Sequence, residues 1–230
     1  MNNIKVVFLD IDNTLLDFDM AIRTGIEDGF KKFNLGAFSE EMFTTFERIN
    51  SGLWERLQRK EITFQQIKDT RFNLVFKELG VDFDGIKFET NFREFLFNYA
   101  YPVDGAIELL NYLKNKGYII CAASNGPLNQ QHNRLEVGKM RQYFDYLFIS
   151  EDIGYSKPNK EFFDVCFSRM DNVYTSDQCV MIGDSLSSDI QGANNYGIKS
   201  IFFNKHKIHK PLTIEPDFEV LSLKEIEQIL

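Results

Sequence analysis

Positive charge is in short supply in this 230-residue chain, where 26 Lys and Arg face 34 Asp and Glu for a formal net charge of −8. No basic stripe is available to neutralise a polynucleotide backbone or an anionic bilayer, so long nucleic acid and membrane are excluded as partners. A small anionic substrate stays open, because a bound cation and one placed Lys dominate the field within a few ångströms. Only three His are present, and no His or Cys pair has the spacing of a zinc site. Cys121, Cys166 and Cys179 are odd in number and two lie in apolar, strand-like runs, which reads as reduced thiols in a cytoplasmic protein. No apolar stretch approaches the roughly 18 residues that span a bilayer, and the early run Val6 to Leu9 stops at Asp10. What the chain has instead is aromatic bulk, with 23 Phe in a composition 43% hydrophobic and 26% charged. That suits a globular protein with a substantial core.

Ile4 to Leu9 is a β-branched apolar run that empties into acidic and hydroxyl residues, as a buried parallel strand would. Tyr118 to Ala123, Tyr146 to Ile149, Cys179 to Ile182 and Ile198 to Phe203 repeat the pattern. Amphipathic segments near Asp104 to Lys116, Leu128 to Val137, Asn159 to Met170 and Leu186 to Tyr196 alternate with them. Strand and helix in alternation predict an α/β fold, a doubly wound parallel sheet. Residues 18–100 break the alternation with helical periodicity alone; Phe46, Ile49, Leu53 and Leu57 form one stripe and Ile67, Phe72 and Phe76 another. The expected organisation is a core of residues 1–17 and 101–230 with a helical module, 18–100, inserted after the first strand. Gly36 and Gly80 would end helices inside the insert, and Pro102 with Gly105 would mark the return.

Chemistry gathers at the predicted strand ends, where open α/β sheets bind ligands. Asp10 and Asp12 follow the first strand two residues apart, so one carboxylate can attack while the other moves protons. Alone, Asp10-x-Asp12-x-Thr14 also suits a turn or a helix cap. The other strand ends supply what a phosphoryl-transfer site still needs. Ser124, Asn125 and Gly126 offer a hydroxyl and close-approach N–H groups, Lys157 a positive charge, and Asp184 and Asp189 further carboxylates. Four carboxylates on one face could not all ionise unaided, and an all-oxygen set beside a phosphate points to Mg²⁺.

These residues, in the order Asp10-x-Asp12-x-Thr14, Ser124, Lys157-Pro158 and Gly183-Asp184 with Asp189, resemble the motifs of the haloacid dehalogenase superfamily of phosphohydrolases over essentially the whole chain. The resemblance implies a Rossmann-like core with a helical cap domain. It implies Asp10 as nucleophile and magnesium ligand, and Asp12 as general acid then base with its backbone carbonyl on the metal. Ser124 would bind the phosphoryl group, Lys157 would steady its charge, Asp184 would hold the metal, and Asp189 would support from behind. Thr14 would shape the loop. An Asp at position 12 favours an ester over a halide, since an alkoxide must be protonated as it leaves.

Within that family, Ser124-Asn125-Gly126 with Gln130 and Arg134-Leu135, together with Trp54 and Arg71, looks like the pyrimidine 5′-nucleotidases. Trp54 either completes the cap core or closes over a nucleobase, and Arg71 is either a solvated helix residue or a substrate contact. His132 reads as a helix surface residue, and His206 and His209 as parts of a solvated loop, Lys205 to Lys210. The expected partner is a small-molecule phosphate ester. A sugar phosphate phosphatase or phosphoglucomutase-like enzyme is the alternative within the enzymes, and a phospho-aspartyl signalling module the alternative outside them. The second Asp and the large insert favour turnover, one as a hydrolytic base and the other as a lid that excludes water.

Overall fold

The computed structural model describes residues 1, 3–208 and 213–230, so His209 and Lys210 lie outside it. The described chain runs β1 (Val6–Leu9), α1 (Phe18–Phe33), α2 (Glu40–Gln58), α3 (Phe64–Leu79), α4 (Gly85–Asn98), α5 (Ala106–Asn115), β2 (Ile119–Ser124) and α6 (Leu128–Val137). It continues through β3 (Tyr146–Ile149), α7 (Ser150–Ile153), α8 (Lys160–Ser168), β4 (Cys179–Gly183), α9 (Gln191–Tyr196), β5 (Lys199–Phe203) and β6 (Phe218–Val220). Two compact units result, one of Met1–Phe18 with Ala100–Leu230 and one of Asp19–Tyr99.

The first unit carries a six-stranded sheet in the order β3-β2-β1-β4-β5-β6, with every neighbouring pair parallel. Because side chains alternate across a strand, the four fully buried residues of β1 serve two layers. Val7 and Leu9 pack with Leu109, Leu110 and Leu113 of α5 and with Leu223 and Ile226, whereas Val6 and Phe8 pack with Phe162, Phe163 and Cys166 of α8. A strand buried on both faces needs a continuous apolar run, which is why β1, β2 and β4 are legible in the sequence. β6 is not, because it is three residues long, centred on Glu219, and buries Val220 alone. The segment read as one helix from Leu186 to Tyr196 is a π-helical turn, Leu186–Ile190, followed by α9.

The second unit is wholly helical among the described residues. Ser39, Thr63 and Asp84 start α2, α3 and α4 by accepting hydrogen bonds from first-turn N–H groups, and Gly80 ends α3 in the left-handed region. At the end of α1 it is Asn34, at φ 56°, that takes the left-handed conformation just after the last helical residue. Phe30, Phe46, Phe72, Phe76, Phe88 and Phe92 form a core of contacting rings, and Gly29 lies so close to Phe88 that a Cβ would stand 2.5 Å from its ring.

Arg71 is a buried, paired residue and not a solvated one. Buried on α3, it donates from Nη2 to Glu89 at 2.6 Å, from Nε to the same carboxylate at 3.1 Å, and from Nη1 to Asn50 at 2.8 Å. Its guanidinium is engaged inside the helical unit by Glu89 and Asn50. Arg71→Met is expected to cost about 3–5 kcal/mol of stability by leaving Glu89 buried and unpaired. Denaturant titration of the full chain measures it; a loss under about 1 kcal/mol would show that the pair is solvated.

Candidate active site

Asp10 extends β1 by one hydrogen bond, its N–H donating to Ile182 O at 2.9 Å, and then the chain turns. Asn13 takes the left-handed conformation at φ 59°, which a short amide side chain tolerates, and its Oδ1 accepts from the Phe18 N–H at 3.0 Å. The turn leaves Asp10 and Asp12 at the carboxyl edge of the sheet. β2 delivers Ser124 to the same edge, and β4 delivers Gly183 and Asp184.

Lys157 ties three of these elements together. Only 1% exposed, its Nζ donates to Asp10 Oδ1 at 2.8 Å, to Asp189 Oδ1 at 2.6 Å and to the Ala123 carbonyl. All three ammonium protons therefore have acceptors. Asp189 is aimed there by the π-helical turn, and its Oδ2 accepts from the Ser185 N–H at 3.0 Å. Gly183 makes that approach possible, since a Cβ would sit 2.1 Å from Asp189 Oδ2. Thr14 Oγ1 lies 3.4 Å from both Asp10 Oδ2 and Asp184 Oδ1, which places it between the two carboxylates.

Crowding shows in the titration of these groups. Burial pushes Asp10 up to about 7; Lys157 opposes the rise, and Asp189 and Asp12 add to it. Burial also raises Asp184 well above the ordinary carboxylate range, with Asp10 and Asp189 adding repulsion. Burial works against the Lys157 ammonium, but the Asp10 and Asp189 charges outweigh it and hold its pKa above the ordinary lysine value. Asp10, Asp184 and Asp189 bring oxygens within 4.8 Å of one another. Three carboxylates, two of them disfavoured as anions, fit a hard divalent cation such as Mg²⁺. The Asp12 carboxylate stands apart from this cluster.

It is held instead by two residues of α6. Gln131 Nε2 donates to Asp12 Oδ2 at 2.6 Å and to Ser124 Oγ at 2.7 Å, and Arg134 Nη1 donates to Asp12 Oδ1. The sequence resemblance singles out Gln130 beside Arg134, whereas it is Gln131 that reaches Asp12. No local signal separates it from its neighbour Gln130, because the contact with Asp12 spans 119 residues of sequence.

The loop after β2 is braced by its own hydrogen bonds. Asn125 Nδ2 donates to the Lys157 carbonyl at 2.8 Å and Asn125 Oδ1 accepts from the Lys157 N–H at 2.9 Å, so its amide ties the β2 loop to the Lys157 loop. The Gly126 N–H donates to Ser124 Oγ at 3.0 Å. Trp54 is half-buried in the helical unit with its ring centroid 5.7 Å from that of Phe64. His132 and His206 are exposed, and the three cysteines are buried and unpaired. Among the described residues no helix is long and apolar enough to cross a membrane.

The chain matches the haloacid dehalogenase-like hydrolase family over residues 4–197. It is 35% identical to the pyrimidine 5′-nucleotidase YjjG of Escherichia coli, over 97% of this chain and 96% of that one. It is 32% identical to the pyrimidine 5′-nucleotidase PynA of Streptococcus pneumoniae, over 96% and 93%. The putative hydrolase YfnB of Bacillus subtilis, solved with magnesium bound, shares 30% identity and superposes with a TM-score of 0.90 over 99% of this chain and 98% of its own. With this coverage, the chain belongs to the haloacid dehalogenase-like hydrolases and is a phosphohydrolase.

Proposed function

We propose that the chain is a magnesium-dependent phosphatase that hydrolyses nucleoside 5′-monophosphates, pyrimidine nucleotides foremost, through a phosphoaspartyl intermediate on Asp10. The observation that carries the reading is a buried Asp10 paired to Lys157 at 2.8 Å, with a second carboxylate two residues on that shares Gln131 with Ser124. Asp10 attacks phosphorus while the ester oxygen departs with a proton from Asp12. Water then attacks the phosphoaspartyl group and gives its proton to Asp12, which frees inorganic phosphate and restores both side chains. Ser124 offers its hydroxyl to the phosphoryl oxygens, and Lys157 offsets their charge while fixing Asp10. Asp10, Asp184 and the Asp12 carbonyl would hold magnesium, which when bound would neutralise the carboxylates and the phosphoryl charge. Asp189, occupied by Lys157 and the Ser185 N–H, supports from behind.

The nucleotide preference rests on the two relatives named as pyrimidine 5′-nucleotidases. In a phosphate-release panel at fixed magnesium, UMP and dTMP are expected to exceed glucose and fructose phosphates by about tenfold or more in kcat/KM, a difference of some 1.4 kcal/mol. Fastest turnover of a sugar phosphate would overturn the preference and leave the phosphatase reading standing. Reduced thiols in the core suit the cytoplasm, where we place the protein.

A further inference from the structure

We propose that Arg134 and Gln131 act as a clamp that positions Asp12 for both proton transfers; the inference rests on the reading of Asp12 as general acid and base. Each oxygen of the Asp12 carboxylate has its own donor, Arg134 Nη1 on Oδ1 and Gln131 Nε2 on Oδ2, so the plane of the carboxylate is fixed as well as its place. The donors are joined, since Arg134 Nη1 also donates to Gln131 Oε1 at 3.1 Å. Gln131 further reaches Ser124 Oγ at 2.7 Å, which couples the direction of Asp12 to the hydroxyl that would hydrogen-bond the phosphoryl oxygens.

The energetics argue against a mere stability device. Arg134 is 0% exposed, and its Nε and Nη2 have no hydrogen-bond partner among the described residues. A guanidinium buried with two nitrogens unmatched loses more hydration than one ion pair returns, so replacing such a pair with apolar side chains usually costs a fold little. What the charge provides here is geometry. The Phe18 ring, 5.1 Å from the guanidinium carbon, supports its face, and Gly126 makes room for the partner, since a Cβ there would stand 2.4 Å from Gln131 Nε2. A general acid that must serve a leaving oxygen and then a water from one place is sensitive to displacement, and about 1 Å of drift can cost roughly 100-fold in rate.

The test is a double-mutant cycle of Arg134→Met and Asp12→Asn on the full chain with magnesium, using an alkyl phosphate and p-nitrophenyl phosphate. Arg134→Met should lower kcat on the alkyl ester by roughly 30–100-fold with KM nearly unchanged. In the Asp12→Asn background the same change should cost less than about twofold, because the group it positions is already gone. With p-nitrophenyl phosphate, loading needs little acid but hydrolysis still needs the base. The fraction of Arg134→Met protein carrying a phosphoryl group at steady state, read by rapid-quench intact mass, should therefore rise. Arg134→Lys should recover part of the loss by restoring one charged donor.

Equal losses in both backgrounds, or a change confined to KM, would overturn the proposal. If Arg134→Met does not fold by circular dichroism, Gln131→Met carries the same cycle with a smaller loss of the same pattern. Should Asp12→Asn itself turn over at the unmodified rate, the reading of Asp12 fails and the clamp fails with it. Should Asp12→Asn be slow and Arg134→Met fast, only the clamp is lost.

Discussion

Asp10→Asn is expected to abolish turnover, with kcat down by at least about 10⁴-fold and no covalent phosphoryl adduct at any time after mixing. The amide is a poor nucleophile, and nothing later in the cycle can replace the bond Asp10 must make. Asp12→Asn should fail differently. On a poor leaving group both half-reactions slow, by roughly 10²–10⁴-fold overall, because the departing oxygen lacks its proton and the attacking water lacks its base. On p-nitrophenyl phosphate the first half needs little help, so the phosphoryl group loads onto Asp10 and hydrolysis stalls. Rapid-quench intact mass should then show magnesium-dependent protein one phosphoryl heavier. An adduct on Asp10→Asn, or unmodified rates for Asp12→Asn, would reverse the assigned roles. The same experiment separates a phosphatase from a phospho-aspartyl signalling module, which would release one phosphate's worth of alcohol per chain and then stop.

Removing magnesium, or its ligand Asp184, is expected to be the second large effect, and stability reports it as well as activity. Asp10 titrates at about 7 in the folded metal-free chain, because burial disfavours its anion, against an ordinary value of 3.8. A raised carboxyl binds more protons folded than unfolded between those two values. In chelator, the stability of the folded chain should therefore fall as pH rises from about 4 to about 7, and stay low above. Asp184, raised in the same direction, adds to the trend. Magnesium at about 100 times its Kd should return roughly 2.7 kcal/mol at pH 8 and raise Tm. Asp184→Asn removes one of the crowded anions. It should make the metal-free protein more stable at pH 8, cancel most of the magnesium-induced rise in Tm, and lower phosphatase activity by about 10²-fold or more. A magnesium-induced Tm rise of unchanged size in Asp184→Asn would place the metal elsewhere.

The candidate site was legible to an uneven degree. Asp10, Asp12, Ser124, Lys157, Asp184 and Asp189 could each be named because each follows an apolar run, and a chain leaving a buried parallel strand must do so at the sheet edge. The partner of the Asp12 carboxylate could not be named. Gln131 and Arg134 stand 119 and 122 residues away in sequence, and nothing in local periodicity says which face of α6 turns toward Asp12. The side-chain partner of Asn125 was hidden for a related reason: only the packing of the Lys157 loop against β2 reveals that its amide joins the two.

By itself, then, the sequence determined the alternating strands and helices of the core, the phenylalanine-rich helical insert, and the order in which reactive groups meet the sheet edge. Hydrophobic periodicity and turn residues are local signals, and each of those features is written locally. Tertiary structure alone decided that Arg71 is spent on Glu89, that Lys157 saturates its three protons on Asp10, Asp189 and Ala123, and that Arg134 lies buried beneath Asp12 with two nitrogens unmatched. Each of these depends on which charged side chain a distant segment brings within about 3 Å, and a buried charge takes its character from that partner.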